Sequence, residues 1–69
     1  MQVHAIAAAG LAAASARFEA SARRTAAAPL ADLAGETVER ITAEVAFKAN
    51  ASILKTADEM AGTLLDILA

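Results

Sequence analysis

Residues 38–65 read VERITAEVAFKANASILKTADEMAGTLL, a run without proline. Large apolar residues recur through it at Val38, Ile41, Val45, Ile53, Met60 and Leu64, with Ala49 within the series and Ile67 beyond. The steps average close to 3.6, which predicts one straight amphipathic helix rather than a strict coiled coil. Asp32 suits its N-cap, and Glu36 places acidic charge at the positive helix end. The helix is therefore expected over about 32–67, roughly 50 Å long at 1.5 Å per residue. A second apolar stripe projects on another side of the same wheel. It holds Phe47, Leu54, Ala61 and Leu65, with Leu68 filling the arc between the stripes. Glu36, Arg40, Glu44 and Lys48 follow at four-residue steps with alternating sign, as expected of a solvated face.

Upstream, Val3, Ala7, Gly10 or Leu11, Ala14, Phe18 and Ser21 recur at helical spacing, which predicts a first helix over about 3–24. Gly10 costs a helix about 1 kcal/mol but lets a second helix approach closely. Residues 25–31 form the break, because Pro29 lacks an amide donor and biases Ala28 away from helical geometry. The expected fold is all-α, an antiparallel two-helix hairpin filling residues 1–69 as one domain. Its seam is expected to join Val3, Ala7, Leu11, Ala14 and Phe18 to Val38, Ile41, Val45, Ile53, Met60 and Leu64. The second stripe, Phe47, Leu54, Ala61, Leu65 and Leu68, is left for contacts between subunits. One alanine-built helix cannot cover both stripes, so oligomerisation into a helical bundle is expected.

Composition points the same way. The chain has 69 residues, 58% hydrophobic yet only 3% aromatic. About a third are alanine, which favours helix strongly and buries little area per residue. Chains this short offset their ordering entropy with disulfides, metals or partners. The absence of cysteine removes the disulfides and thiolate sites, leaving partners. The net charge of −2 gives no footing for nucleic acid. Arg17, Arg23 and Arg24 cluster around Glu19, and the cluster reads as a solvated helix end.

No catalytic, metal or cofactor site is expected. His4 is the only histidine and reads as a solvated side chain. Asp58 and Glu59 are adjacent on a helix and point about 100° apart, so they cannot work as a carboxylate pair. Ser15, Ser21 and Ser52 lack a base, and Gly10, Gly35 and Gly62 are isolated. The apolar stretch Ala5–Ala16 has no Lys or Arg before it, against a secretory signal, and is too short to span a bilayer.

The stretch from Val38 to Leu65 resembles the C-terminal helix of bacterial flagellar rod and hook proteins. In that family a Val-x-x-Ile precedes an Ala-aromatic-x-Ala-Asn, then Thr-Ala-Asp-Glu-Met, then a closing Leu-Leu. Val38, Ile41, Ala46, Phe47, Ala49, Asn50, Ala51, Thr56, Ala57, Asp58, Glu59, Met60, Leu64 and Leu65 match without a gap. Gly10 to Ala13, Arg17-Phe18 and Ala22 resemble the family's opening helix more loosely. The family's Gln-Arg before the aromatic pair is Glu44-Val45 here, its asparagine-rich stretch is Arg23 to Ala27, and its middle β-rich region has no counterpart.

The resemblance implies terminal helices that pair within a subunit and pack against neighbours in the flagellar axis. It implies homo-oligomeric or other axial partners, a basal-body location, and export without a classical signal peptide. From the residues alone, a cytoplasmic oligomeric adaptor binding a partner helix is the alternative. A membrane-active peptide fits poorly, because the charge ladder alternates in sign instead of being uniformly basic.

Overall fold

The computed structural model describes residues 2–68. Two helices account for nearly all of them: α1, Gln2–Ala27, and α2, Leu33–Leu68. The protein is an all-α antiparallel hairpin, with no strand among the described residues.

α1 runs three residues past the expected end at Arg24. Ala26 and Ala27 are good helix formers, and Pro29 disfavours helical geometry only in its immediate predecessor. The Ala28 amide still donates to the Arg24 carbonyl at 3.0 Å. A tight turn follows, closed by the Ala31 amide on the Ala28 carbonyl at 3.1 Å. Pro29 occupies its second position, where a fixed φ near −65° is preorganised. Asp32 then takes a positive φ of 51°, a region Asp tolerates better than most residues. Its carbonyl accepts the Glu36 amide at 3.0 Å, which starts α2. The expected carboxylate cap is not formed among the described residues. The left-handed backbone lays the carboxylate over Gly35 instead, where a Cβ would sit 2.7 Å from Asp32 Cγ. A side chain at Gly35 would have to push that carboxylate aside.

Cross-helix contacts set the register. His4 meets Asp58, Gly10 lies under Asn50, Arg17 meets Glu39, and Ser21 meets Glu36. On α1 the buried residues are Ala7, Ala14 and Ser21, one every seven positions. On α2 the face turned to them carries Glu36, Ala43, Asn50 and Ala57, again seven apart, with Ala43 fully buried. The seam therefore follows a seven-residue period of small and polar residues, while the large stripe follows 3.6 and drifts away from it.

The hairpin is a rod. Its Cα extents are 58 × 15 × 13 Å, and its radius of gyration is 16.6 Å, against roughly 11 Å for a compact domain of this length. No described helix is long and apolar enough to cross a membrane.

Candidate functional site

The closed end of the hairpin is held by a polar clasp. Ser21 is completely buried. Its hydroxyl lies 2.9 Å from Glu36 Oε1 and 3.1 Å from the Glu36 carbonyl oxygen, so its one proton is shared between them. Arg24 donates to both oxygens of the same carboxylate, at 2.6 and 3.0 Å. Arg40 donates to Thr25 Oγ1 at 2.7 Å and to Ser21 Oγ at 3.3 Å. The Arg24 and Ser21 hydrogen bonds hold the Glu36 carboxyl below its ordinary range, against the opposing effect of desolvation. Its bond to Glu36 raises Arg24 in turn. One flank repeats the pattern: Arg17 Nε donates to Glu39 at 2.9 Å, lowering the Glu39 carboxyl and raising Arg17.

Glu36 and Arg40 are therefore not part of a solvated ladder, as the alternating charges suggest. They face α1, and only Glu44 and Lys48 pair along α2, at 2.9 Å. The other expected surface cluster is a pair on its own helix, Glu19 with Arg23. His4 is likewise not a free side chain, since its Nε2 lies 2.6 Å from Asp58 Oδ1 across the helices.

The apolar residues are arranged differently from the expected seam. Of that set, Ala7 and Ala14 are buried and Leu11 is half-buried against α2. Val38, Ile41 and Val45 point away from α1, with Val45 61% exposed, and Ile53, Met60 and Leu64 stand on one flank. Val3 and Phe18 lie on the flanks of α1, also exposed. The second stripe divides too. Leu54 and Ala61 are half-buried toward α1, while Phe47, Leu65 and Leu68 are exposed. The physical reason is distance. An alanine helix gains packing only from a partner whose own face is small enough to come close. Ala43, Asn50 and Ala57 allow that, whereas Val38, Ile41 and Val45 would hold the helices apart.

Shallow grooves result, among them two lined by both helices. One, of about 480 Å³, is lined by Phe18, Phe47, Ala14, Ala22 and Ala43 with neighbouring polar residues. The other, of about 580 Å³, is bounded by Val3, Ile53, Met60 and Leu64 over Ala57 and Ala61. Of the motif residues Asn50, Thr56, Ala57, Asp58, Glu59 and Met60, Asp58 joins the helices by a polar contact and Asn50 by close packing. Asn50 covers Gly10 while its Nδ2 donates to the Ala46 carbonyl at 2.8 Å, and Asp58 binds His4. Ala57 is half-buried on the seam, and Thr56, Glu59 and Met60 are exposed. The Gly10–Asn50 approach joins residues forty positions apart, and local spacing carries no sign of it.

The total accessible surface is 5007 Å², against roughly 4,000 Å² for a compact protein of this mass. Fifteen large apolar side chains are exposed among the described residues. No group of His, Cys, Asp and Glu among the described residues could hold a metal ion.

The described residues thus form an all-α helical hairpin with small residues on its seam and most of its large apolar residues exposed. The family described as flagellar basal body rod FlgEFG protein C-terminal matches residues 31–67, which is all but the last residue of α2 and the two residues before it. The chain belongs to that family, which is a structural one and not a family of enzymes. No curated protein and no solved structure matches the chain.

Proposed function

We propose that this chain is a structural subunit or accessory of the bacterial flagellar axis, rod- or hook-like, acting by helix–helix packing at the basal body. One observation carries the reading: the segment matched by the rod family is α2, and most of the large apolar residues of α2 are left exposed by the hairpin's own partner helix. A helix that packs only within its hairpin has no use for Val38, Ile41, Val45, Ile53 and Met60 on the outside. A helix packed between its partner and neighbouring subunits does. In this reading the polar clasp and the Gly10–Asn50 approach keep the hairpin in register, and the outer faces meet other axial subunits. On the same reading the chain reaches the axis by flagellar export.

The test is cellular. A tagged chain is expected in purified basal bodies, and its deletion is expected to impair rod assembly or motility. A fully motile deletion strain, with normal basal bodies that lack the tagged chain, overturns the reading.

A further inference from the structure

The two helices are not fastened equally along their length. Toward the closed end, Arg17, Ser21, Arg24 and Thr25 of α1 each bond to α2. Among residues 2–9 only His4 does, through Nε2 on Asp58 Oδ1 at 2.6 Å. That pair is open to water, with the Asp58 side chain 74% exposed, so solvent screens it. The other ring nitrogen of His4, Nδ1, is buried without a partner among the described residues, which counts against the closed arrangement. Packing is as thin. Of residues 2–9 Ala7 alone is buried and His4 is half-buried, while Val3 and Ile6 are exposed.

Gly10 bounds this weakly held segment. Glycine has the poorest helix propensity after proline. A helix growing outward from the clasp meets its largest cost there, and the eight residues beyond are too few to hold a helix by themselves. Detached from α2, residues 2–9 unwind.

Beneath them lies a broad apolar face of α2. The register of His4 on Asp58 and Gly10 on Asn50 sets residues 2–9 over Leu54, Ala57 and Ala61, which are half-buried. At 100° per residue, Met60 and Leu65 bound an arc of about 140° that holds these three together with Ile53 and Leu64. Between residues 53 and 68 no charged side chain falls within it. Closed, the segment lies along the middle of the arc and leaves its two edges bare. Open, the arc is one continuous apolar face.

We infer that residues 2–9 form a strap over the C-terminal half of α2, hinged at Gly10 and latched by His4 on Asp58. The strap opens by local unwinding while the clasp stays closed. Opening joins the two bare edges, so the latch sets how much of α2 is offered to a partner. The strap is a property of the hairpin itself and goes beyond the flagellar reading.

Amide exchange in the purified chain, read residue by residue by NMR, tests it. The first four amides of a helix lack a helical acceptor in any case, so the readout is Ile6 to Ala9 set against Phe18 to Ala22. The first group should exchange many-fold faster, with the boundary at Gly10. Simple fraying of a helix end would give a similar gradient, and Asp58 separates the two because it lies on the other helix. Asp58→Ala should speed exchange at Ile6 to Ala9 several-fold and leave Phe18 to Ala22 unchanged. Alanine is the better helix former, so the faster exchange would not come from a weaker α2. In an Asn50→Ala background, which clears space for a Cβ, Gly10→Ala should slow exchange at Ile6 to Ala9 by stiffening the hinge. Uniform exchange along α1, no effect of Asp58→Ala at Ile6 to Ala9, an increase shared by Phe18 to Ala22, or no slowing by Gly10→Ala each overturn the strap. A chain found in basal bodies can fail this test and one absent from them can pass it, so the two readings fall separately.

Discussion

At the scale of single residues, the Asn50 side chain occupies the space that Gly10 leaves empty. A Cβ there would lie 2.5 Å from Asn50 Cγ, and the Asn50 amide is held in place by its bond to the Ala46 carbonyl. Alanine in place of glycine gains about 1 kcal/mol of helix propensity. Gly10→Ala is nevertheless expected to destabilise the hairpin, because the amide must be displaced. In an Asn50→Ala background the same change should stabilise it. Urea melts of the four proteins give the coupling, expected at about 1–3 kcal/mol for groups in contact; equal effects in both backgrounds would remove the close approach. The clasp yields a different signature. Glu36 and Glu39 are held below the ordinary carboxyl value of 4.5 when folded, so the unfolded chain binds more protons between the folded and unfolded values. Stability therefore rises with pH through that window. The contribution is complete above about pH 4.5 and is lost as pH falls through the depressed folded values. Thermal melts followed from pH 7 to 3 should show the loss, and Glu36→Gln with Glu39→Gln should flatten it.

Elements were legible to different depths. The existence and length of α2 followed from periodicity without proline, and the break followed from Pro29, because both are local properties of the backbone. The inward face of α1 followed from spacing as well, since Ala7, Ala14 and Ser21 of the expected stripe are buried and Gly10 and Leu11 half-buried, with Val3 and Phe18 left on the flanks. The inward face of α2 did not follow, because there the greasiest stripe is the wrong guide. Size decides instead: two backbones come together where both carry small residues, leaving Val38, Ile41 and Val45 outside. The charge ladder misled for a related reason. Four-residue spacing says that Glu36 and Arg40 share a face, not whether Ser21, Thr25 and Arg24 of another helix meet them there. Phe47 and Phe18 fall on different stripes by spacing, yet the register places them on one flank. A pair of substitutions checks this ordering by size. Val45→Asp lies on an exposed face and should change the hairpin's stability by no more than about 0.5 kcal/mol in dilute solution. Ala43→Leu inserts bulk where 1% of the residue is exposed and should cost about 1–3 kcal/mol. Circular-dichroism melts showing the reverse order would mean that the large stripe is the seam after all.

For the molecule as a whole, the central fact is that burial is confined to a thin line. Among the described residues Ala7, Ala14, Ser21 and Ala43 are the fully buried ones, and alanines bring little apolar area with them. Fixing some sixty helical residues carries an entropic cost that such a seam offsets poorly. The exposed large side chains are the area that would make up the difference, and they contribute only when another molecule covers them. Folding and association should therefore be coupled by mass action. If the purified chain self-associates, the midpoint of its helix melt should rise with concentration. A tenfold increase supplies about 1.4 kcal/mol per association step, and unfolding a pair of chains carries an entropy that converts this into roughly 5 °C. Circular-dichroism melts across a hundredfold range would read the slope. A single midpoint at every concentration, with full helicity in the most dilute sample, would mean that the thin alanine seam and its polar clasp suffice alone, and that the outer apolar faces serve partners without supporting the fold.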